Sequence, residues 1–305
     1  RVLERDSASI AETGEFLHKS LHALTPGCMA SVAFAALDVA LWDLRSKRAG
    51  MPLYKMLGGA HSRVQIYNTH VGWLNRPLTE MLSLCKEAVA HGKFQAIKLK
   101  VGKPDMEEDR ERVSKVREVV GRHVKLMVDA NQSWTLHEAI KRIKLLEPYD
   151  LVWVEEPLPA EQLNNFERLA REVNVALAGG ESIYTLQEFF QYAHCNALGY
   201  MQPDVARIGG ITEAMKVCAL AQCAGLKVAP HVSPELSVSV GCAASNAEFI
   251  EYIPQMEKVL LEKTIIEEGF AYPFDRNGHG ILFDEEALEK MEVADEDSQP
   301  AANAA

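Results

Sequence analysis

Three acids carry the first sign of chemistry in this chain. Asp129, Glu155 and Glu181 are separated by two equal intervals of 26 residues. Each follows a short apolar run: 126–128 before Asp129, 151–154 before Glu155, and 175–178 shortly before Glu181. One strand, one helix and two short loops occupy about that many residues. The spacing therefore places three carboxylates at the same end of three successive parallel strands. Oxygen-only ligands converging in this way suit a hard divalent cation such as Mg²⁺. Asp and Glu also close strands as turn residues or helix caps. Three of them at matched spacing, each following an apolar run, favour the metal.

Further groups stand where neighbouring strands should end. In 96–100, Lys98 and Lys100 lie two apart, so a strand points both to one side and Leu99 to the other. Lysines facing an interior are costly unless anions compensate them, and a lysine held among other cations can act as a base. The alternative is a pair of solvent-facing lysines on an edge strand. His231 follows an apolar run and a proline, and Asp204 ends the run before it. A carboxylate that orients an imidazole makes a general base. Read singly, His231 can be structural and Asp204 a turn residue. Glu251 ends an eighth run and is either a hydrogen-bonding group of the site or a surface acid. Asn68, Asn131, Gln202 and Arg207, with Thr69, His70 and Gln132, would give the strand-end loops polar groups for a hydroxylated substrate. Arg207 is suited to a distal carboxylate, Asn131 and Gln132 can equally support the metal loop, and Trp134 is the main apolar exception.

The elements needed to position these groups are visible in the hydropathy pattern. Strand-like runs at 64–67, 96–100, 126–128, 151–154, 175–178, 198–202, 226–229 and 249–253 alternate with seven helical segments. That alternation means an α/β fold with parallel strands. Eight units suggest a closed barrel with active groups at the C-terminal strand ends. An open doubly wound sheet is the competing architecture, but no glycine-rich phosphate loop follows the first strand. Residues 12–24 and 30–49 have helical spacing, the second with an apolar face too wide for a lone surface helix. A short helical turn follows at 52–57. After 255 the chain becomes turn-rich, with one short helix at 285–291, and from about 294 it is expected to be disordered.

The 305 residues suffice for one large barrel plus a small accessory region. A net charge of −11 argues against nucleic acid or an anionic membrane as partner and leaves room for a small anionic substrate held by local cations. No apolar run reaches the ~18 residues of a membrane span. The six cysteines form no C-x-x-C pair and read as small buried thiols in a reduced compartment. A cytoplasmic location is the expectation, although the chain begins at Arg1 and not at Met.

Taken together, Lys98-Leu-Lys100, Val128-Asp-Ala-Asn-Gln132, Val154-Glu-Glu-Pro157, Gly180-Glu181, Gln202-Pro-Asp204, Ile208-Gly-Gly210 and Ala229-Pro-His231 resemble the mandelate racemase subgroup of the enolase superfamily in order and spacing. Tyr67-Asn-Thr69 with Gly72, Gln202-Pro-Asp204 and the 226–231 stretch resemble acid-sugar dehydratases of the talarate/galactarate type. The resemblance implies a (β/α)7β modified TIM barrel with a partial α+β capping domain. Residues 1–61 would be the capping part, lacking its N-terminal sheet, 62–255 the barrel, and 256–305 a segment returning to the cap. It implies Mg²⁺ on Asp129, Glu155 and Glu181, with Lys100 and the His231–Asp204 dyad as bases on opposite substrate faces. Lys98 and Glu251 would assist at the substrate carboxylate, Glu251 as a donor only if protonated. The implied partner is a small carboxylate, an aldarate or aldonate, and the protein is expected to be a homo-oligomer. Dehydration to a 2-keto-3-deoxy acid, racemisation of a 2-hydroxy acid, and a non-catalytic metal-binding barrel all remain open on these residues.

Overall fold

The computed structural model describes residues 9–20 and 27–291. Eight parallel strands alternate with helices. They are β1 (Val64–Asn68), β2 (Ala96–Lys100), β3 (Lys125–Asp129), β4 (Leu151–Glu155), β5 (Ala176–Gly179), β6 (Tyr200–Met201), β7 (Lys227–Val228) and β8 (Phe249–Tyr252). The ladder runs in sequence order from β1 to β7, and β8 pairs in parallel with β1. Between β7 and β8 the wall closes through the Val228 amide to Asn246 O and the Glu248 amide to Val228 O, at 3.1 and 2.9 Å. The sheet is thus a closed barrel, and the open doubly wound alternative is excluded. Closure also removes the sheet edges that would otherwise present unpaired backbone.

Among the described residues three helices precede the barrel: α1 (Ile10–Ser20), α2 (Cys28–Arg48) and α3 (Leu53–Met56). The barrel's helices are α4 (Leu78–Val89), α5 (Met106–Val120), α6 (Leu136–Leu146), α7 (Leu163–Glu172), α8 (Leu186–His194), α9 (Ile211–Cys223) and α10 (Pro234–Ala243), and α11 (Glu285–Met291) follows. Two barrel helices begin with reciprocal capping boxes, Thr135 with Glu138 at α6 and Thr185 with Glu188 at α8. The helix α5, charged in sequence, is not exposed all round. Asp109 and Arg112 are buried with Val113 and Val116 on the face toward the barrel.

The barrel interior has two layers, which follow from the period of two along each strand. Tyr67, Ala96, Met127, Trp153, Ala178, Ala229 and Phe249 pack into an apolar plug. Its rings meet edge to face, Tyr67–Trp153 at 5.3 Å and Trp153–Phe249 at 5.6 Å between centroids. Two residues further along their strands, the same interior positions become Lys98 after Ala96, Asp129 after Met127, Glu155 after Trp153 and Glu251 after Phe249. The plug supplies a dry floor, and every charged group above it must be paired within the barrel.

Two findings differ from the sequence pattern. The stretch after 255 contains a hairpin, β9 (Ile265–Glu267) and β10 (Phe270–Tyr272), joined through Glu268 and Gly269, both at positive φ. The strand β10 runs antiparallel to the start of β1, with Val64 opposite Ala271. Three-residue strands leave too little alternation to be read. Second, the cysteines are not uniformly buried: Cys85, Cys218 and Cys242 are, whereas Cys28 and Cys223 are exposed, and all six are free thiols.

Beyond the hairpin the chain meets the N-terminal helices. Leu53 N donates to Gly278 O at 2.7 Å, and His279 N to Asp43 Oδ1 at 2.9 Å. The helix α2 docks on the barrel through Asp38, which accepts from Thr212 N at the start of α9. Gly210 is required there, because a Cβ on it would lie 2.4 Å from Asp38 Oδ2. The expected disordered tail from about 294 lies outside the described residues. No helix among the described residues is long and apolar enough to cross a membrane.

Candidate active site

Strand register assembles the acids. Lys100 pairs with Asp129 across β2 and β3, and Asp129 pairs with Glu155 across β3 and β4, so these three side chains leave adjacent strands at one level. Glu181 follows β5 by two residues. Ligand oxygens of Asp129, Glu155 and Glu181 all lie within 4.8 Å of one another. The chain bends sharply just beyond several of these groups. Five of the eight non-glycine residues at positive φ are Asn131, Gln132, Glu156, Val232 and Ser233, directly after Asp129, Glu155 and His231. Such backbone costs free energy and persists only where the surroundings impose it. At Val232 the reason is visible: its amide donates to Glu251 Oε2 at 3.1 Å.

Lys98 is fully buried beneath the acids. Its Nζ lies 2.5 Å from Glu155, 2.9 Å from Glu251 and 3.4 Å from Asp129. Burial opposes its charge, but Glu155 and Glu251 outweigh burial and hold its pKa well above the usual lysine value. Lys98 is therefore a fixed cation and not a base. Lys100, one step nearer the barrel mouth, donates to Asp129 Oδ2. On the other side of the triad, His231 Nδ1 is 2.8 Å from Asp204 Oδ2 and its Nε2 is 2.9 Å from Glu181 Oε2. Burial works against the imidazolium, but Glu251, Asp204 and Glu181 together push His231 up to about 10.

The charge balance tests whether a cation fits. Five carboxylates, those of Asp129, Glu155, Glu181, Asp204 and Glu251, face three buried cations: Lys98, Lys100 and His231. The imbalance is two negative charges, with Arg207 at the rim offsetting part of it. Glu155 bears the strain: burial and the neighbouring Asp129 push it up to about 8. An oxygen-only cluster with this deficit fits a hard divalent cation, which would restore Glu155 to its ionised form.

The supporting shell is built from residues that looked like substrate contacts. Gln202 is buried and donates from Nε2 to Glu155 Oε2 at 2.6 Å. Asn68 is buried and accepts from Val71 N, closing its own turn. Arg207 donates to Glu181 O at 3.1 Å and lies 3.4 Å from Asp204 Oδ2, so its guanidinium is held against two of the site's own acids. Glu251 needed to be protonated to serve as a donor. Burial disfavours its charge, but Lys98 and His231 prevail and hold its pKa at about 2, so it accepts from Thr69 and Lys98. Trp134 is buried with Arg142 over its ring. Of the four residues named for substrate, Asn131 is exposed, Arg207 is half-buried at the rim, and Asn68 and Gln202 are buried.

Sequence reasoning missed Trp153, whose Nε1 donates to Glu155 Oε2 at 3.0 Å, and Trp73, 5.7 Å from Lys100 Nζ. Trp153 was readable in principle, since period two puts it on the side of Glu155. Trp73 lies beyond a short 3₁₀ turn and left no pattern.

Residues 80–287 match the enolase C-terminal domain-like family, and residues 1–58 match the mandelate racemase / muconate lactonizing enzyme N-terminal domain. The chain belongs to the enolase superfamily. Among curated relatives, the L-talarate/galactarate dehydratase of Salmonella typhimurium is 37% identical over 259 residues, 85% of this chain. The chain spans 65% of that relative's length. The 3,6-anhydro-alpha-L-galactonate cycloisomerase of Streptomyces coelicolor is 35% identical over 96% of this chain and 81% of its own. The crystal structure of L-talarate dehydratase from a Polaromonas species, complexed with Mg and L-glucarate, superposes with a TM-score of 0.89 at 35% identity, covering 93% of this chain and 79% of that one. These enolase-superfamily neighbours have the TIM-barrel type of fold described above.

Proposed function

We propose that this enolase-superfamily chain is a Mg²⁺-dependent acid-sugar dehydratase acting on a galactarate- or talarate-like substrate. One observation carries the reading: Lys100 and His231 are bonded to two different members of one carboxylate triad, Asp129 and Glu181. A substrate held at that triad meets a nitrogen base from either side. Asp129, Glu155 and Glu181 hold Mg²⁺, which when bound stabilises the negative charge developing on the substrate carboxylate. The Mg-bound relatives support this assignment.

The proton α to a carboxylate is very weakly acidic, and a positioned base typically contributes ~10²–10⁴-fold to its removal. Lys100 or His231 takes that proton, according to the configuration of the substrate, and the C–H pair becomes an enediolate. The β C–O bond then breaks, and the departing hydroxyl takes a proton to leave as water. The resulting enol tautomerises to a 2-keto-3-deoxy acid. When Lys100 is the base, His231 in its protonated form is equipped to give the departing hydroxyl its proton from Nε2, while Asp204 holds Nδ1. Lys98 stays charged throughout and keeps the carboxylates below the substrate in place.

Two bases on opposite sides also serve racemisation, and a racemase from Streptomyces coelicolor with bound magnesium superposes with a TM-score of 0.90 at 34% identity. The test is direct. With Mg²⁺ and galactarate, the protein is expected to release a keto acid detectable as its semicarbazone. Racemisation of an arylglycolate with no keto-acid product would overturn the dehydratase reading in favour of the racemase.

A further inference from the structure

We infer that the open cavity beside Lys100 is the subsite for the far end of the substrate chain, and that Lys103 is the residue that recognises a second carboxylate there. The inference deepens the proposed dehydratase reading and rests on it. The cavity has a volume of about 370 Å³, and Lys100 itself is part of its wall. Trp73 and Pro104 give it apolar surface, and Asn75, Asn131 and Lys103 give it polar groups. An indole face for C–H groups, amides for hydroxyls and one cation for an anion form a donor set matched to a polyol diacid. A metal-bound carboxylate at Asp129 and a second carboxylate at Lys103 would place the hydroxylated carbons past Lys100.

Arg207, the cation that the sequence offered for this role, is tied to Glu181 and Asp204. Among the described residues the Lys103 ammonium has one ion-pair partner, Glu108, at 3.1 Å, with 47% of the Glu108 side chain exposed. An ion pair that exposed is worth little, so a substrate carboxylate can displace Glu108 at small cost.

The backbone beneath Lys103 is fixed. Asp109 accepts from the amides of Gly102 and Lys103, at 2.9 Å and 3.1 Å for Oδ2. Arg142, 3.1 Å from Asp109, donates to the carbonyls of Lys103 and Pro104 at 2.9 and 3.0 Å. Asp109 and Arg142 are both buried. The clamp reaches the loop after Asp129 as well, because Arg142 lies over the ring of Trp134. Gly102 packs so closely against that loop that a Cβ on it would be 2.7 Å from Ser133 Oγ. Recognition therefore requires only the Lys103 side chain to turn, with its Cα already placed, which limits the ordering cost of binding.

The test compares two acids of one carbon chain, galactarate with two carboxylates and galactonate with one. Binding is measured by calorimetry with Mg²⁺, and turnover is measured alongside. A charge-assisted contact of this kind predicts that Lys103→Met weakens galactarate about 10- to 100-fold, with kcat nearly unchanged and galactonate unaffected. Lys103→Arg, which keeps the charge, should restore most of the galactarate affinity. Equal effects on both acids, or none on either, overturn the subsite. If the wild-type protein turns over neither acid yet Lys103→Met weakens galactarate alone, the dehydratase reading falls and the subsite stands.

Discussion

Lys98→Met is the sharpest probe of the charge economy at this site. The substitution keeps the volume of the side chain and removes a cation lying 2.5, 2.9 and 3.4 Å from three buried carboxylates. Removing one partner of a buried ion pair costs ~3–5 kcal/mol, because the remaining charge is stranded. Here three acids are stranded, although Glu155, already pushed up to about 8, absorbs part of the loss by taking a proton. At ~2–4 °C per kcal/mol for chains of roughly this size, the unfolding midpoint should fall by about 6–20 °C in EDTA. Mg²⁺ supplies charge to the same acids, so it should recover much of that loss, and the variant should bind Mg²⁺ more tightly than the wild type. Calorimetric scans in EDTA and in Mg²⁺, with a titration of Mg²⁺ into each protein, read both effects. A midpoint in EDTA within about 2 °C of wild type, or a drop that Mg²⁺ leaves untouched, would refute the account.

Two further outcomes follow from geometry and titration. Gly180 has φ +153°, and a Cβ there would lie 2.4 Å from Gln202 O, so Gly180→Ala must displace the loop carrying Glu181. The expected result is Mg²⁺ affinity reduced about 10- to 100-fold with the far-ultraviolet circular dichroism retained; unchanged affinity would show that Glu181 does not depend on that approach. In EDTA, stability should fall at both ends of the pH scale. Glu251, lowered from 4.5 to about 2, contributes stability above pH 4.5 that is lost as pH falls toward 2. His231, raised from 6.5 to about 10, contributes stability below pH 6.5 that is lost as pH climbs through 10. A midpoint independent of pH between 6.5 and 10 would contradict the raised imidazole, and His231→Asn should flatten that limb in particular.

The strand order and the register of the acids were legible because a barrel repeats one unit. Each unit has a fixed length, so Asp129, Glu155 and Glu181 appear at equal intervals, and each lies at or just past the end of an apolar run that has nowhere to go but the interior. The same logic exposed Lys98 and Lys100, since period two is enforced by the backbone and survives any packing. The hairpin of β9 and β10 was not legible, because each strand is three residues long and its reason for forming is the start of β1, far away in sequence.

What the sequence determined by itself was which groups are present and which end of the barrel they share. What only the tertiary structure decided was who pairs with whom, and that changed several assignments. Gln202, Asn68 and Arg207 read as substrate contacts because they are polar and lie near strand ends. In the folded chain Gln202 and Arg207 serve the site's own acids and Asn68 its own turn, because a buried polar group must be satisfied by whatever lies within hydrogen-bond reach. Glu251, which could donate only if protonated, is an acceptor, because Lys98 on β2 and His231 just beyond β7 converge on it. Lys103 stood out by no motif or spacing. Its place beside Lys100 is set by Asp109 and Arg142, on two different helices, whose contact with that loop exists only once the barrel has closed.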